Sequence, residues 1–366
     1  MRRSHIAWPR PSIGVQFWLC WFMKSAASLP SRSGLRKVHA LRYGTLAVEL
    51  LRLLRGRRSC AEFSRRLGYR SNVVQRWEAQ RCWPTAARYL AVLGGNGRTW
   101  SECVTTFFGR RPDWLDAHAP ESPEGVAALL RQLAGKVAIG TLSELGGFSR
   151  YQVSRWLSGG TQPNLPEFLC LIEVMSRRLL DLLALVADPA RLPSVAARWQ
   201  QIDVARKAAY QMPWSHAVLR ALEIETPQRG AEQLSWLSQR VGLSVEVVRQ
   251  CLDVLLATGQ VREQRGRLVL GESLPVTTAQ DVSRAREVKV MWTRTALERL
   301  EQGKPGNFGY SLFAASRSDL RRLRELHLEY VRAMQAIVAA STPNECVGLF
   351  CAQFVDLAVS DNALAE

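Results

Sequence analysis

Apolar residues in the first half of the chain recur at helical spacing, and glycines interrupt the pattern at regular points. Leu50 and Leu54 stand four positions apart, which predicts the inner face of a helix that ends near Gly56. A second short helix is predicted over residues 60–67, and a third from about residue 71 to 79. The pattern therefore indicates a series of short helices rather than strands.

The same pattern occurs twice, at a shift of 79 residues. Between residues 47 and 93, 12 of 47 positions are identical to the residue 79 places further on. Most of them are apolar, Gly or Pro, the types that specify turns and packing. The chain is therefore predicted to hold two copies of one helical unit. The identical positions of the first copy are Leu50, Leu51, Arg52, Leu54, Gly56, Ser64, Gly68, Val74, Arg76, Trp77, Pro84 and Leu90.

The third helix of each copy is predicted to bury a valine and a tryptophan three residues apart. These are Val74 and Trp77 in the first copy and Val153 and Trp156 in the second. Two short helices joined by a glycine turn, with polar residues facing outward from the second, describe a helix-turn-helix. The outward residues are Asn72, Gln75 and Arg76 in the first copy and Arg150, Tyr151, Ser154 and Arg155 in the second.

Residues 147–185 resemble the Cro and phage-repressor class of helix-turn-helix domains (XRE-like). The resemblance rests on a Ser-Arg-Trp sequence, a Gly-containing turn, a Pro and Leu-rich closing helices. It implies that the outward residues of both third helices reach base edges or phosphates in the major groove. Arg can bridge guanine O6 and N7, and Gln or Asn can bridge adenine N6 and N7. The alternative is that these residues form an ordinary solvated helix surface.

Charge separates the two copies. The chain carries 49 Lys and Arg against 32 Asp and Glu, a net charge of +17, which favours a polyanionic partner. Residues 46–120 hold 13 bases and 6 acids, whereas residues 121–190 hold 6 and 7. Arg57, Arg58 and Arg65 are expected to contact phosphates, off the reading face. The first copy lacks the Gly-containing turn, so we expect electrostatic grip from it and better geometry from the second. Protein contact by one copy is the alternative.

A third DNA-binding unit is predicted after residue 194. Ser244 is placed to cap a long helix that bears Arg249 and Gln250, and a basic hairpin follows around Arg265 and Gly266. This order resembles a winged helix, which implies Arg249 and Gln250 on the reading helix and Arg265 on the wing, with Arg262 and Arg267 beside it. Winged helices also act as dimerisation or protein-docking modules, and that alternative stays open.

The C-terminal segment has a different pattern. From residue 281 it predicts a long amphipathic helix, a strand at residues 308–315, a helix to about residue 340 and a β-like end at residues 346–357. With the winged helix, residues 195–358 resemble a C-terminal domain of unknown function found in a bacterial family of helix-turn-helix regulators. The resemblance implies no chemistry. The segment from residue 281 onward carries 11 bases and 11 acids, which suits a dimer or effector surface.

The N-terminal segment combines basic and apolar residues. Residues 13–23 form an apolar run after Arg2 and Arg3, superficially like a secretory signal, but the run is too short to span a bilayer. We expect residues 1–44 to be a disordered basic arm or an extension upstream of a start at Met23. A signal or membrane anchor is the alternative.

No pattern in the chain predicts catalysis or metal binding. The eight cysteines never form a CxxC pair, and the five histidines are isolated, so the thiols are expected to be reduced core residues. No HExxH, Walker lysine motif or nucleophile elbow occurs. We therefore expect no metal, no cofactor and no enzymatic activity.

These patterns together predict a mainly α protein with two tandem five-helix helix-turn-helix domains, a winged helix and a small α+β C-terminal domain. The expected function is a cytoplasmic transcriptional regulator that binds duplex DNA in a sequence-specific manner as a homodimer, with RNA polymerase or another regulator as a further partner. A protein-interaction scaffold with degenerate helix-turn-helix folds and an RNA-binding protein are the alternatives. The predicted domains are residues 1–44, 45–118, 122–190, 194–275 and 280–358.

Overall fold

The fold is mainly helical with one small two-stranded sheet, which confirms the mainly α fold class. In the computed structural model, the described residues are 41–93, 99–109, 111–135, 137–225, 229–271, 276–278, 281–355 and 357. The expected N-terminal arm lies outside them, apart from its last four residues. Within these ranges, no helix combines the length and apolarity needed to cross a bilayer.

Each copy of the repeat contains five helices at equivalent positions. The first copy has α1 (Tyr43–Arg55), α2 (Cys60–Arg66), α3 (Val73–Glu78), α4 (Ala86–Leu93) and α5 (Trp100–Phe108). The second has α6 (Pro123–Ala134), α7 (Ile139–Gly146), α8 (Arg150–Ser158), α9 (Leu165–Ser176) and α10 (Leu179–Ala184). Short 3₁₀ turns lie at Asp113–Asp116 and Pro189–Arg191.

The core beneath the third helix is built in the same way in both copies. Trp77 packs edge-on against Tyr69, with 5.7 Å between ring centroids, and Trp156 packs edge-on against Phe148 at 5.0 Å. Both tryptophans are buried, as the apolar spacing predicts. The aromatic pair fixes the inner side of α3 and α8 and leaves their polar side in solvent.

The third helices differ in length because their N-caps differ. Ser149 caps α8, and Gln152 completes a capping box with it. The residue equivalent to Ser149 is Arg70, which has no side-chain oxygen to accept from the helix N-terminus. Asn72 caps α3 instead, so α3 has 6 residues where α8 has 9. The prediction that the first of these helices starts near residue 71 is therefore wrong by two residues.

The turn after the third helix has one backbone geometry but two residue types. Gly159 ends α8 in the left-handed region, with φ 82°. The equivalent residue of the first copy is Gln80, which adopts φ 58°. Glycine reaches this region at little cost, whereas a residue with a Cβ is strained there. The first copy therefore makes this turn without the glycine found at the equivalent position of the second copy.

The two copies share one core and pair through equivalent residues. Thr85 and Asn164, which are 79 residues apart, face each other in an antiparallel β-bridge. Ala86 N donates to Pro163 O at 2.9 Å, and Leu165 N donates to Pro84 O at 3.0 Å. Exchanging the copies turns each hydrogen bond into the other. The helix contacts follow the same rule, since α1 packs on α9 as α6 packs on α4, and α5 packs on α10.

A winged unit follows the repeats and has a core of its own. It contains α12, α13, α14 and an antiparallel hairpin of β1 and β2, preceded by the connecting helix α11. Arg265 and Gly266 both have positive φ at the hairpin turn, which confirms the hairpin prediction. Buried Gln233 on α13 exchanges two hydrogen bonds with the backbone of Leu268 on β2. The bounds are α11 Ala196–Gln211, α12 Trp214–Ala221, α13 Gly230–Val241, α14 Val245–Ala257, β1 Val261–Gln264 and β2 Arg267–Leu270.

A buried ionic cluster connects the second copy to α11. Asp181 on α10 accepts from Arg178 at 3.3 Å and from Arg206 on α11 at 2.8 Å. Burial raises the pKa of Asp181, and the two guanidinium groups oppose that shift. Arg206 also donates to Thr277 O at 3.1 Å. The ion pair between Arg206 and Asp181 links α11 to the repeat core. Separating the two would leave an uncompensated buried charge, which is strongly destabilising.

The C-terminal segment contains two long helices, α15 (Val282–Glu301) and α16 (Arg317–Ala340). The strands predicted at residues 308–315 and 346–357 are wrong, because the described residues of both segments form no strand. Period-two apolar spacing makes a strand only where a partner strand satisfies the backbone. The described part of residues 305–315 makes no backbone hydrogen bond, and Tyr310 is 94% exposed. The small α+β domain is thus a helical segment with extended connections.

We expect Gln80→Gly to stabilise the protein by roughly 0.5–1 kcal/mol, because glycine removes the left-handed strain while making the unfolded chain more flexible. Gly159→Gln, the reverse change at the equivalent turn, should destabilise it by about 1 kcal/mol. Urea unfolding followed by circular dichroism measures both. Arg81→Gly, at a neighbouring exposed position without positive φ, is the control and should destabilise. Equal losses from Gln80→Gly and Arg81→Gly would contradict the strain argument.

Candidate nucleic-acid interface

The outward face of α8 is exposed and preorganised. Arg150, Tyr151, Ser154 and Arg155 are all exposed on it. Tyr151 and Arg155 stand one turn apart, and the guanidinium of Arg155 lies 5.5 Å from the Tyr151 ring centroid and donates to its hydroxyl at 3.3 Å. Arg155 also donates to Gly160 O at 3.3 Å. These weak contacts orient the guanidinium group of Arg155, which stays exposed to solvent on this face.

The outward face of α3 holds Asn72, Gln75 and Arg76, and all three are exposed. Asn72 has a structural task as the N-cap: its Oδ1 accepts from Gln75 N at 3.4 Å, and its Nδ2 donates to Gln75 Oε1 at 3.0 Å. Among the described residues, Arg76 has no ion-pair partner. The structure therefore leaves Arg76 free for a ligand and places Asn72 in the helix end.

Exposed arginines precede and follow α3. Arg65 and Arg66 end α2, and Arg70 and Arg81 lie on either side of α3 in the chain. No acidic partner for any of the four is found in the part of the chain that the structure describes. The equivalent residues of the second copy are Glu144, Leu145, Ser149 and Gly160, none of which is basic. Sequence reasoning overlooked Arg66, Arg70 and Arg81, although the local charge count contained the signal.

Some arginines of the first copy are engaged in the fold instead. Glu78 at the end of α3 accepts from Arg52 at 3.0 Å and from Arg55 at 2.6 Å. Burial would raise the pKa of Glu78, but the hydrogen bonds from Arg55 and Arg52 hold it below its usual value. Arg58 is half-buried and donates to Arg55 O at 3.2 Å, so it is less available to phosphate than the exposed Arg57 and Arg65.

The winged unit presents a separate basic surface. Arg249 and Gln250 are exposed on α14, and Arg249 forms an exposed ion pair with Glu246 at 3.0 Å. Arg265 is exposed at the hairpin turn and Arg262 is exposed on β1, while Arg267 is half-buried. The structure thus joins α3 and α8 through the shared repeat core, whereas α14 and the hairpin belong to a second core.

Comparison with known proteins identifies only the C-terminal part. Residues 194–355 match a family model described as "Domain of unknown function (DUF4423)". The match begins before α11 and ends after α16, so it includes the winged unit and excludes both copies of the repeat. No curated protein matches the chain. No solved structure matches it. The expected C-terminal domain of unknown function is therefore confirmed, and its description assigns no activity.

Proposed function

We propose that the protein is a cytoplasmic transcriptional regulator that binds duplex DNA sequence-specifically through α3 and α8. The observation that carries this proposal is the presence of Arg76 and Arg155 at equivalent, exposed positions on the third helix of two copies. Arginine at such a position can bridge the two acceptors of a guanine in the major groove. The proposal involves no catalytic step and no cofactor.

The distribution of charge supports a division of labour between the copies. Arg65, Arg66, Arg70 and Arg81 of the first copy are exposed and can neutralise phosphates, which supplies sequence-independent affinity. The second copy has few such residues but orients Arg155 through Tyr151 and Gly160. Phosphate contacts fix register, and base contacts specify sequence. We therefore assign most of the phosphate contacts to the first copy and most of the base recognition to the second.

The surface favours duplex DNA over single-stranded RNA. Proteins that read single strands stack unpaired bases on exposed aromatic rings. On the outward faces of α3 and α8, Tyr151 is the one aromatic residue, and its ring is already covered in part by Arg155. Short polar helices with exposed arginines fit the width of the DNA major groove instead.

A salt titration of the full chain tests the proposed function. We expect the protein to bind duplex DNA. The logarithm of the association constant should fall linearly with the logarithm of salt concentration, with a slope of about −0.9 for each phosphate neutralised. The measurement is fluorescence anisotropy with labelled duplex DNA, single-stranded RNA of the same length, and a heparin competitor. Stronger binding to the RNA would favour the RNA alternative. Failure to bind either nucleic acid at low salt would favour the protein-interaction scaffold.

Alanine substitutions should separate base contacts from phosphate contacts. Arg76→Ala or Arg155→Ala should cost about 1–3 kcal/mol on the preferred duplex and relax selectivity at one position. Arg65→Ala should weaken all duplexes alike and reduce the salt dependence by about one unit. Binding to specific and scrambled duplexes at several salt concentrations measures both effects. Equal losses on both duplexes from all three variants would mean that the helices grip DNA without reading it.

We also propose that the protein forms a homodimer through its C-terminal helices. Of the 21 exposed large hydrophobic side chains in the described residues, 15 lie between residues 290 and 357. A standard interface buries ~800 Å² per partner, and these side chains offer exposed apolar surface from which such an interface can be built. Monomeric proteins seldom expose so much apolar surface in one region.

The spacing of these side chains favours a second copy as the partner. On α16, Leu326, Tyr330, Ala333 and Ile337 are exposed at intervals of four, three and four residues, the spacing of a coiled-coil seam. Such a seam fits another helix with the same spacing, and a second copy supplies one. The segment from residue 281 onward has 11 bases and 11 acids, so it does not attract a polyanion or repel itself.

Introducing a charge into the seam tests the homodimer. Leu326→Glu and Ile337→Glu place charges in the proposed apolar contact, so each should convert a dimer to a monomer. Sedimentation velocity of the full chain at micromolar concentration measures the mass. Gln239→Glu adds the same charge at an exposed position of α13 and should leave the dimer intact. A monomeric wild-type chain would rule out the homodimer, and a dimer unaffected by both seam variants would rule out this surface.

A further inference from the structure

We infer that a single chain engages both halves of an inverted DNA site whose two halves are unequal. This inference rests on the proposed function and adds the form of the target. A helix-turn-helix protein ordinarily needs a dimer to present two reading helices related by a twofold axis. Here the two readers belong to one polypeptide and are joined by one core.

The relation between the copies is that of an isologous interface. In such an interface, if residue i contacts residue j, then the equivalent of i contacts the equivalent of j in return. The hydrogen bonds from Ala86 N to Pro163 O and from Leu165 N to Pro84 O meet this condition. The bridge between Thr85 and Asn164 joins two equivalent residues, so the approximate twofold axis passes between them.

The helix packing extends this symmetry beyond one bridge. The pair α1 and α9 is equivalent to the pair α6 and α4, and both pairs are in contact. The self-equivalent pairs, α4 with α9 and α5 with α10, are also in contact across the axis. These helix pairs obey the same exchange rule as the bridge, and α1 packs more extensively on α9 than α6 does on α4, so the twofold relation is approximate.

The symmetry determines how the two reading helices are presented. A twofold rotation preserves height along its axis and reverses directions perpendicular to it, so this relation places α3 and α8 at equal height with their perpendicular components antiparallel. Duplex DNA has local twofold axes of its own, and paired recognition helices enter grooves about one helical turn apart. An inverted site is therefore the arrangement of bases that matches the two copies.

The side chains predict where the two halves agree and where they differ. Arg76 and Arg155 are equivalent, so each half should contain the same arginine-contacted guanine. Gln75 is equivalent to Ser154, and Asn72 to Tyr151, so the bases beside that guanine should differ. The target is thus an inverted repeat at one base in each half and asymmetric around it.

Selection of bound sequences from random duplex DNA by the full chain tests this inference. The wild-type protein should enrich two inverted halves that share a guanine and differ beside it. The double variant Tyr151→Asn and Ser154→Gln gives the second copy the first copy's residues at two of the outward positions, while Arg150 stays where the first copy has Ser71. Its preferred site should become closer to a perfect inverted repeat. The preference at the altered position should change by about 5- to 100-fold. Glu121→Gln, at an exposed position outside both reading helices, should leave the site unchanged.

Gln75→Ala gives an independent measurement, since it should relax the preference in one half and leave the other half intact. Identical halves selected by the wild-type chain would overturn the inference, because two chains would then each be using one copy. A single half, a direct repeat, or a site unaltered by the double variant would also overturn it. Enrichment of any of these sites would leave sequence-specific DNA binding standing, whereas no enrichment at all would overturn the proposed function as well.

Discussion

The reciprocal pairing of residues 84–86 with residues 163–165 is the contact on which the first half of the molecule depends. Around this pairing, the apolar sides of α1 and α4 pack against α9 and α6 of the other copy, which removes them from water. Pro84 and Pro163 are suited to this place because each needs only to offer its carbonyl oxygen there, and a proline has no N–H left unsatisfied.

The ionic cluster around Asp181 carries this fixed geometry into the C-terminal half. Arg206 connects α10, α11 and the backbone of Thr277, so the helix that leads to the winged unit starts from a defined orientation. The cluster is costly to desolvate, and loss of one partner would leave an uncompensated buried charge.

Sequence reasoning located the repeat, the buried tryptophans and the hairpin because each depends on local spacing or on one turn type. It placed the start of α3 too early. Arg70, the equivalent of the capping Ser149, has no side-chain oxygen, so Asn72 caps the helix instead. It predicted strands at residues 308–315 and 346–357 from alternation alone, although a strand requires a partner that the spacing does not reveal. The mutual pairing of the copies was equally invisible, since identical residues show that two units are alike and not where they meet.

The covalent joining of the two copies has a consequence for how the protein can change. In a homodimer every substitution appears twice, so both faces must tolerate it together. Here a substitution changes one copy of the repeat and leaves the other as it was, and the two copies differ: the first has more exposed arginines, and the second holds Arg155 against Tyr151. Assembly of the pair is also independent of dilution, because the two units remain on one chain at any concentration.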